Sequence, residues 1–323
     1  MRHASGPRET RRIPGQAPGK VAWTMGYRSI FTDCSPDERR QNFDDYLTYA
    51  RRHGGELFET DKDLRAMRER LQYFRARPVR SRQPLGDPAA FYQNHVVFRG
   101  DPSTVDPRIC LWTCLYKFAR HEWVGISAAW DASPPLVDAT TVISRISRYH
   151  LAEEFCHVRY FEEMFRTFRL DGVIWVPLSP LKQRLYGLFP NIPAVLANSL
   201  AFVTELLGVT FYRHFDALLD ELFDDEPEAR GRVRELLYEI MADEIAHVGQ
   251  RRNFLGRVEI RIARRLVAPF FRLFLRDIPE SGRLLDVGRM VRDGVAFDYS
   301  GLPDGLLERS WIPSYCRVIS EGA

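Results

Sequence analysis

The chain has 323 residues, of which 45% are hydrophobic, so it is long enough to bury a sizeable core in one large domain or two small ones. This composition excludes a mainly disordered or fibrous protein. The 46 lysines and arginines nearly balance 43 aspartates and glutamates, and a formal net charge of +3 favours neither nucleic acid nor an anionic membrane as the partner.

The cysteines are few and odd in number, and none stands in Cys-x-x-Cys spacing. They are Cys34, Cys110, Cys114, Cys156 and Cys316. This pattern indicates neither a disulfide framework nor a structural zinc knuckle, and it fits a reducing, cytoplasmic compartment best.

The N-terminal third is predicted to cover the core. Residues 1–20 are basic and rich in Gly and Pro without an apolar stretch, which predicts a flexible tail and no secretory signal. The region 21–107 is interpreted as a helical extension and connector. Ser35 before a proline predicts a helix over 36–53, and Thr60-Asp61 predicts a second helix over 60–77. The proline-rich connector over 84–107 leaves room for a short strand at 96–98.

The main body is predicted to form four long helices. They are predicted over 108–131, 137–169, 193–223 and 227–254. A long connection over 171–193 separates the second helix from the third, because glycines and prolines interrupt it. Two helices, a long crossover and two more helices are typical of a ferritin-like four-helix bundle, so the predicted fold is all-α with additional helices at both ends.

One stretch resembles a membrane span. Residues 192–211 are apolar, but Glu205 lies near their middle, where a carboxylate in lipid is costly. A buried core helix explains the same pattern, and we expect no membrane span. The region 257–323 is predicted to hold a helix that is broken or kinked around Pro269, followed by an irregular tail.

Two Glu-x-x-His motifs stand on the predicted second and fourth helices. Three helical residues span about 300° of rotation, so Glu154 and His157 share a face, as do Glu244 and His247. One such motif is weak evidence, because a helical chain with 8 histidines produces about one by chance. Two motifs, each on a long helix, are stronger evidence for a metal site.

The other two long helices each supply a glutamate. Glu122 lies on the first and Glu205 on the third, where it is the only charge in an apolar stretch. Small residues surround both glutamates, which leaves room for metal, dioxygen and a substrate group. These residues are Ala119, Gly125, Ala129, Ala201 and Gly208. A bundle with two metal ions needs these two further carboxylates.

Each motif glutamate follows another acid. A metal-bound imidazole usually donates its second N–H to a carboxylate, so Asp243 is predicted to contact His157 across the bundle and Glu153 to contact His247. Oxygen and imidazole ligands suit iron or manganese, and the lack of cysteine ligands argues against zinc ribbons and iron–sulfur clusters.

Each of the proposed site residues also has an alternative explanation. The motif pairs could be ordinary solvent-facing helix pairs, and Glu122 could be a surface acid. Tyr212 shares the face of Glu205 and is a candidate catalytic residue together with it, although core packing is its ordinary role. His150 lies four residues before Glu154, so it is either a third nitrogen ligand or a hydrogen-bonded histidine without that role.

The order Glu122, Glu154-x-x-His157, Glu205, Glu244-x-x-His247 resembles the ferritin-like non-haem di-iron oxygenases. These include the acyl-carrier-protein desaturases, the bacterial multicomponent mono-oxygenase hydroxylases and the arylamine N-oxygenases. The resemblance covers about residues 108–255 of the predicted bundle domain 108–256. It implies six metal ligands at those positions, two ferrous ions and activation of dioxygen.

The chain departs from these families in several places. Cys156 and Ala246 stand where an arginine often precedes the motif histidine. Ile240 stands where the arylamine N-oxygenases carry an additional histidine ligand, and the corresponding place on the second helix holds His150. The resemblance therefore does not select a subfamily.

The main functional hypothesis is an oxidoreductase that uses two iron ions, or manganese, and dioxygen to hydroxylate, desaturate or N-oxygenate a small or acyl-carrier-bound substrate. An external electron donor is implied, because no Gly-x-Gly-x-x-Gly fingerprint follows a strand. Arginines at 251, 252 and over 257–276 could bind an acidic carrier protein, although such arginines ordinarily form a solvated helix face. Homodimerisation through apolar bundle faces is one expected assembly.

Two alternatives to this hypothesis come from other functional classes. The first is a ferritin-like protein that oxidises or binds iron without an organic substrate, and about 100 residues before the bundle and 70 after it argue against this. The second is a metal-free helical scaffold.

Overall fold

The computed structural model describes residues 23–188 and 192–321. Most of these residues are helical, in agreement with the predicted all-α class, and the few strands are short. The predicted flexible tail over 1–20 lies outside the described residues.

Twelve α-helices occur in the described part of the chain. They are α1 Pro36–Gly54, α2 Arg65–Ala76, α3 Pro88–Asn94, α4 Pro107–Ala132, α5 Val142–Thr167, α6 Pro180–Leu188, α7 Ala194–Leu222, α8 Pro227–Arg252, α9 Arg257–Arg276, α10 Ser281–Leu284, α11 Val287–Val295 and α12 Asp304–Arg309. The strands are β1 Trp23–Tyr27, β2 Leu57–Phe58, β3 Asp63–Leu64 and β4 Arg317–Glu321. Strand β1 pairs antiparallel with β4, and β2 pairs antiparallel with β3.

Four long helices pack around a common interior. Helix α4 packs on α5, α5 on α8 and α8 on α7, whereas α4 and α7 are the least closely packed neighbours. Large aromatic side chains fill this interior, among them Trp112, Tyr116, Phe161 and Phe202. Because α5 and α8 are direct neighbours, the two Glu-x-x-His motifs lie on helices that contact each other.

Capping residues decide where these helices begin. The Asp106 side chain accepts a hydrogen bond from the backbone N–H of Arg108, and Pro107 opens the first turn of α4. Helix α5 begins at Val142, five residues later than predicted, because Thr141 and Ser144 form a reciprocal capping box there.

The N-terminal helices agree only in part with the prediction. A capping box between Ser35 and Glu38 starts α1, which matches the predicted 36–53 closely. Helix α2 begins at Arg65 and not at residue 60, because the segment before it forms the β2–β3 hairpin. Lys62, with φ 51°, lies in the connection between these two strands.

Several connecting segments contain helices that the sequence did not predict. Helix α3, capped by Asp87, lies in the proline-rich connector, and the predicted strand at 96–98 is absent from these described residues. Helix α6 interrupts the long connection over 171–193.

Helix α9 was expected to be broken or kinked around Pro269. It is not broken there, because it continues through Pro269 to Arg276.

The C-terminal region after α9 is more regular than predicted. Helices α10, α11 and α12 replace the expected irregular tail, and β4 returns to pair with β1 near the start of the described chain. Asp286 caps α11 by accepting a hydrogen bond from the backbone N–H of Arg289.

Helix α7 is, among the described residues, the one helix that is long and apolar enough to cross a membrane. Half of its most apolar stretch is buried inside the protein, and it packs against α8 and α9. Core helices pass the same test of length and composition, so the helix is weak evidence for a membrane span.

Candidate metal centre

Buried carboxylates and imidazoles from α5, α7 and α8 converge in the interior. Their potential ligand atoms form two groups, in each of which these atoms lie within 4.8 Å of one another. The first group contains His150, Glu154, Glu205 and His247. The second contains Glu154, His157 and Glu244. Glu154 belongs to both groups, so the two potential ion positions are adjacent.

His157 is fully buried, and its two ring nitrogens face different partners. Nε2 lies 3.0 Å from Oδ2 of Asp243. Nδ1 lies 3.5 Å from Oε2 of Glu154 and 3.4 Å from Oε1 of Glu244, and it has no hydrogen-bond partner among the described residues. When Nε2 shares its proton with Asp243, Nδ1 is the nitrogen that could bind an ion between the two glutamates.

His247 repeats this arrangement from the opposite helix. Its Nε2 lies 2.8 Å from Oε2 of Glu153, and its Nδ1 lies 3.0 Å from Oε1 of Glu154 and 3.9 Å from Oε2 of Glu205. Both contacts predicted across the helices, Asp243 with His157 and Glu153 with His247, are therefore present. Imidazoles held in this way by a carboxylate are oriented as metal ligands.

His150 lies inside the first group. Its Nε2 is 3.3 Å from Oε1 of Glu205 and 3.6 Å from Oε1 of Glu154, and its ring centroid is 3.9 Å from that of His247. Burial, followed by the neighbouring His247 and Arg251, lowers the pKa of His150 to about 4. A neutral imidazole in this place is available as a further nitrogen donor.

Glu122 lies beside the two groups and belongs to neither. Its Oε1 accepts a 2.6 Å hydrogen bond from the Tyr212 hydroxyl, while its buried Oε2 has no hydrogen-bond partner among the described residues. Burial and the charges of Glu244 and Glu154 raise the pKa of Glu122 well above its ordinary value. The Tyr212 hydroxyl thus contacts Glu122.

The interior concentrates negative charge. The carboxylates are Glu122, Glu153, Glu154, Glu205, Asp243 and Glu244. Burial and the charge of Glu154 raise the pKa of Glu244 to about 8. Burial alone would also raise the pKa of Glu154, but contacts with His157 and His247 outweigh it and hold that pKa well below the ordinary value. Buried carboxylates at this density are stable only when protons or cations neutralise them.

Helix α1 supplies a further layer of contacts. His53 places Nε2 2.9 Å from Oδ1 of Asp243, and the Tyr46 hydroxyl donates a 3.4 Å hydrogen bond to Oε2 of Glu153. Neither residue was predicted from the sequence to lie at the site, since no spacing along the chain relates α1 to α5 or α8.

A cavity of about 190 Å³ adjoins the two groups. It lies between α4 and α7, and Tyr186 of α6 contributes to its wall. Small residues line much of it, namely Gly125, Ala128, Ala129, Ala201 and Gly208. At Gly208 a Cβ atom would lie only 2.8 Å from Oε2 of Glu244, so this glycine gives the carboxylate its room.

The two arginines at the end of α8 have different environments. Arg251 lines the cavity and donates from Nε to Oε1 of Glu205 over 3.3 Å. Arg252 is buried and donates to the backbone carbonyl oxygens of Ile30 and Thr32, so it does not belong to the basic surface that the sequence suggested.

Comparisons with known proteins add no relative: no protein-family model, no curated protein and no solved structure matches this chain. The geometry of the buried site is therefore the basis for any functional conclusion.

Proposed function

We propose that the protein is a non-haem di-iron oxidoreductase that activates dioxygen to hydroxylate, desaturate or N-oxygenate a small organic substrate. One observation carries this proposal. Two Glu-x-x-His motifs on adjacent helices converge on a buried cluster, and each motif histidine turns Nε2 to a carboxylate and Nδ1 to the glutamates of the cluster.

The donor atoms fit two adjacent ions. Glu154 would lie between them, because its Oε1 faces His247 and its Oε2 faces His157. One ion would also take Glu244, with Glu122 nearby, and the other would also take Glu205 and His150. Mixed imidazole and carboxylate donors suit iron, and manganese is the second choice.

Bound ferrous iron would supply the electrons with which dioxygen is reduced, and the chain's own residues hold and shield the site. Asp243 and Glu153 fix the ring orientation of His157 and His247. Tyr212 holds one oxygen of Glu122 through its hydroxyl. Both motif histidines are buried, so solvent would reach the metal positions through the adjoining cavity. An external electron donor is part of this proposal.

The packing of α4, α5, α7 and α8 supports a ferritin-like bundle as the fold behind this function. The adjoining cavity supports an organic substrate over the alternative of a protein that only oxidises or binds iron, because iron oxidation alone needs no such space. We further propose that the protein acts in the cytoplasm.

Oxygen uptake by the iron-loaded protein tests this proposal. With a chemical reductant, the loaded protein should consume dioxygen repeatedly, and His157→Ala should abolish this consumption, whereas the exposed-site control Glu221→Ala should not. Oxidation of many ferrous ions per chain, with iron accumulating on the protein, would support the iron-oxidising alternative instead.

A further inference from the structure

We propose that the cavity beside the metal groups binds a small, mainly apolar organic anion whose carboxylate pairs with Arg251. This inference rests on the proposed function, since it takes the two glutamate–histidine groups to be occupied by metal ions. It goes further by naming the chemical class of the substrate.

Arg251 is the one lysine or arginine among the described residues that line the cavity. Its Nε donates to Oε1 of Glu205, and its Nη2 lies 3.3 Å from Nε2 of His150. Both partners belong to the first group of potential ligands, which contains His150, Glu154, Glu205 and His247. Nε2 of His150 has a single lone pair, so when it binds an ion it no longer accepts from Nη2 of Arg251, and that end of the guanidinium is free for another acceptor.

The environment of Arg251 suits recognition of a carboxylate. Its side chain is only 22% exposed, so its charge is weakly screened by solvent. A guanidinium presents its donors in a fixed fork that matches the two oxygens of a carboxylate. The charges of the metal-binding glutamates would be balanced by the ions, which leaves Arg251 as the cation facing the cavity.

Apart from Glu122 and the glutamates of the two ligand groups, the described residues of the cavity wall offer no second charged group to a ligand. His121 and Tyr186 line the wall but already bond each other over 2.9 Å, and Nε2 of His121 lies 2.8 Å from Oδ2 of Asp277. The remaining wall is mostly apolar, with Phe118 and Phe274 beside the small residues named above. A ligand that fits has one anionic end and an apolar body.

The volume limits the size of that body. A cavity of about 150 Å³ lined by apolar side chains encloses a benzene molecule, and this cavity measures about 190 Å³. A single ring or a short branched chain with a carboxylate fits this space. A long acyl chain would have to extend beyond this space, which favours a free small acid as the first ligand to test.

Calorimetric titration of the cobalt(II)-loaded protein with benzoate and benzamide tests the proposal. These probes share a ring and differ in charge. Because a charge-assisted hydrogen bond is worth more than a neutral one, benzoate should bind at least about tenfold tighter. Arg251→Gln should weaken benzoate binding by about tenfold or more and leave benzamide unchanged. Arg261→Gln, which removes one exposed charge on α9, should change neither.

Equal affinity for the two probes, or absence of binding by both, would overturn the proposal. So would unchanged benzoate affinity in Arg251→Gln, since the carboxylate would then bind cobalt and not the guanidinium. Ala201→Phe should abolish binding of both probes by filling the cavity, and unchanged binding there would place the site elsewhere. If Arg251→Gln does not load cobalt, the cobalt(II) absorption spectrum of the wild-type protein decides: benzoate that pairs with Arg251 leaves the spectrum unchanged, and a spectral shift typical of carboxylate binding to cobalt would overturn the proposal.

The cobalt content of each sample separates this inference from the proposed function. Protein that holds two cobalt ions and shows no preference for benzoate contradicts the inference alone. Protein that holds no cobalt contradicts the proposed function, and with it the basis of the inference.

Discussion

Glu154 occupies the central place among the buried residues. Its Oε1 lies 3.0 Å from Nδ1 of His247, and its Oε2 lies 3.5 Å from Nδ1 of His157. Glu205 has contacts in the first group alone. If ions bind, more of them would depend on Glu154 than on Glu205, although both are largely buried acids on long helices.

This difference predicts different metal contents. Glu154→Ala should bind neither ion firmly, because it removes a donor from both groups, whereas Glu205→Ala should retain about one ion per chain. Elemental analysis after iron reconstitution measures this, with exposed Glu221→Ala as the control. Two ions retained in Glu154→Ala would contradict the assignment of Glu154 to both groups.

Gly208 of α7 lies against the carboxylate of Glu244. A Cβ atom there would approach Oε2 of Glu244 to 2.8 Å, which is too close for an unshifted carboxylate. Gly208→Ala should therefore weaken metal binding while the helix itself gains up to about 1 kcal/mol of stability from alanine.

The matched control for this prediction is Gly231→Ala, also in a long helix, where no atom lies within 4 Å of the added Cβ. It should leave metal affinity unchanged. Metal affinity is measured by titration with cobalt(II), and equal affinity in the two variants would show that Gly208 has no role in the site.

At the scale of elements, α1 is part of the site and not only a cover over the core. Its His53 places Nε2 2.9 Å from Asp243, whose other oxygen contacts His157. The chain of contacts runs from α1 through α8 to α5. Outer contacts of this kind fix the orientation of a metal-bound imidazole.

Loss of His53 should therefore weaken the site without direct contact to a ligand. His53→Ala should reduce metal affinity by about 10–100-fold, and His53→Gln, which can still donate to Asp243, should recover much of it. The measurement is competition for cobalt(II) against a chelator of known affinity. An unchanged affinity for cobalt(II) in His53→Ala would show that α1 covers the core and does not contribute to the site.

The sequence predicted those parts of the site that repeat along one helix. Glu154 and His157 share a face because they are three residues apart, and the same spacing places Glu244 beside His247. His53 and Tyr186 could not be found in this way, since they reach the site through packing of distant segments. The β1–β4 pairing joins opposite ends of the described chain, and the caps at Thr141 and Asp87 depend on local side-chain geometry. Apolar periodicity reveals neither of these.

At the scale of the whole molecule, the C-terminal region ties the helices together. Lys117 of α4 and Glu280, just before α10, form a buried pair with Nζ 2.6 Å from Oε1. Strand β4 joins β1 from the other end of the chain. The segments outside the four long helices thus contribute to the stability of the structure that holds the metal groups.

Breaking the buried pair should destabilise the protein strongly. Glu280→Ala should lower the free energy of unfolding by about 3–5 kcal/mol, because it leaves the Lys117 charge buried without a partner. Asp33→Ala, which removes the exposed partner of Arg257, should cost less than about 1 kcal/mol. Urea unfolding followed by circular dichroism measures both, and similar losses would contradict the importance of burial here.

The central claim is that the converging glutamates and histidines bind two iron ions that react with dioxygen. The most direct measurement is the iron content of the purified, anaerobically reconstituted protein, with its absorption spectrum recorded as dioxygen is added. We predict about two irons per chain and a transient visible band, both lost in His247→Ala. Absence of bound iron from a protein whose circular dichroism shows an intact helical fold would contradict the claim.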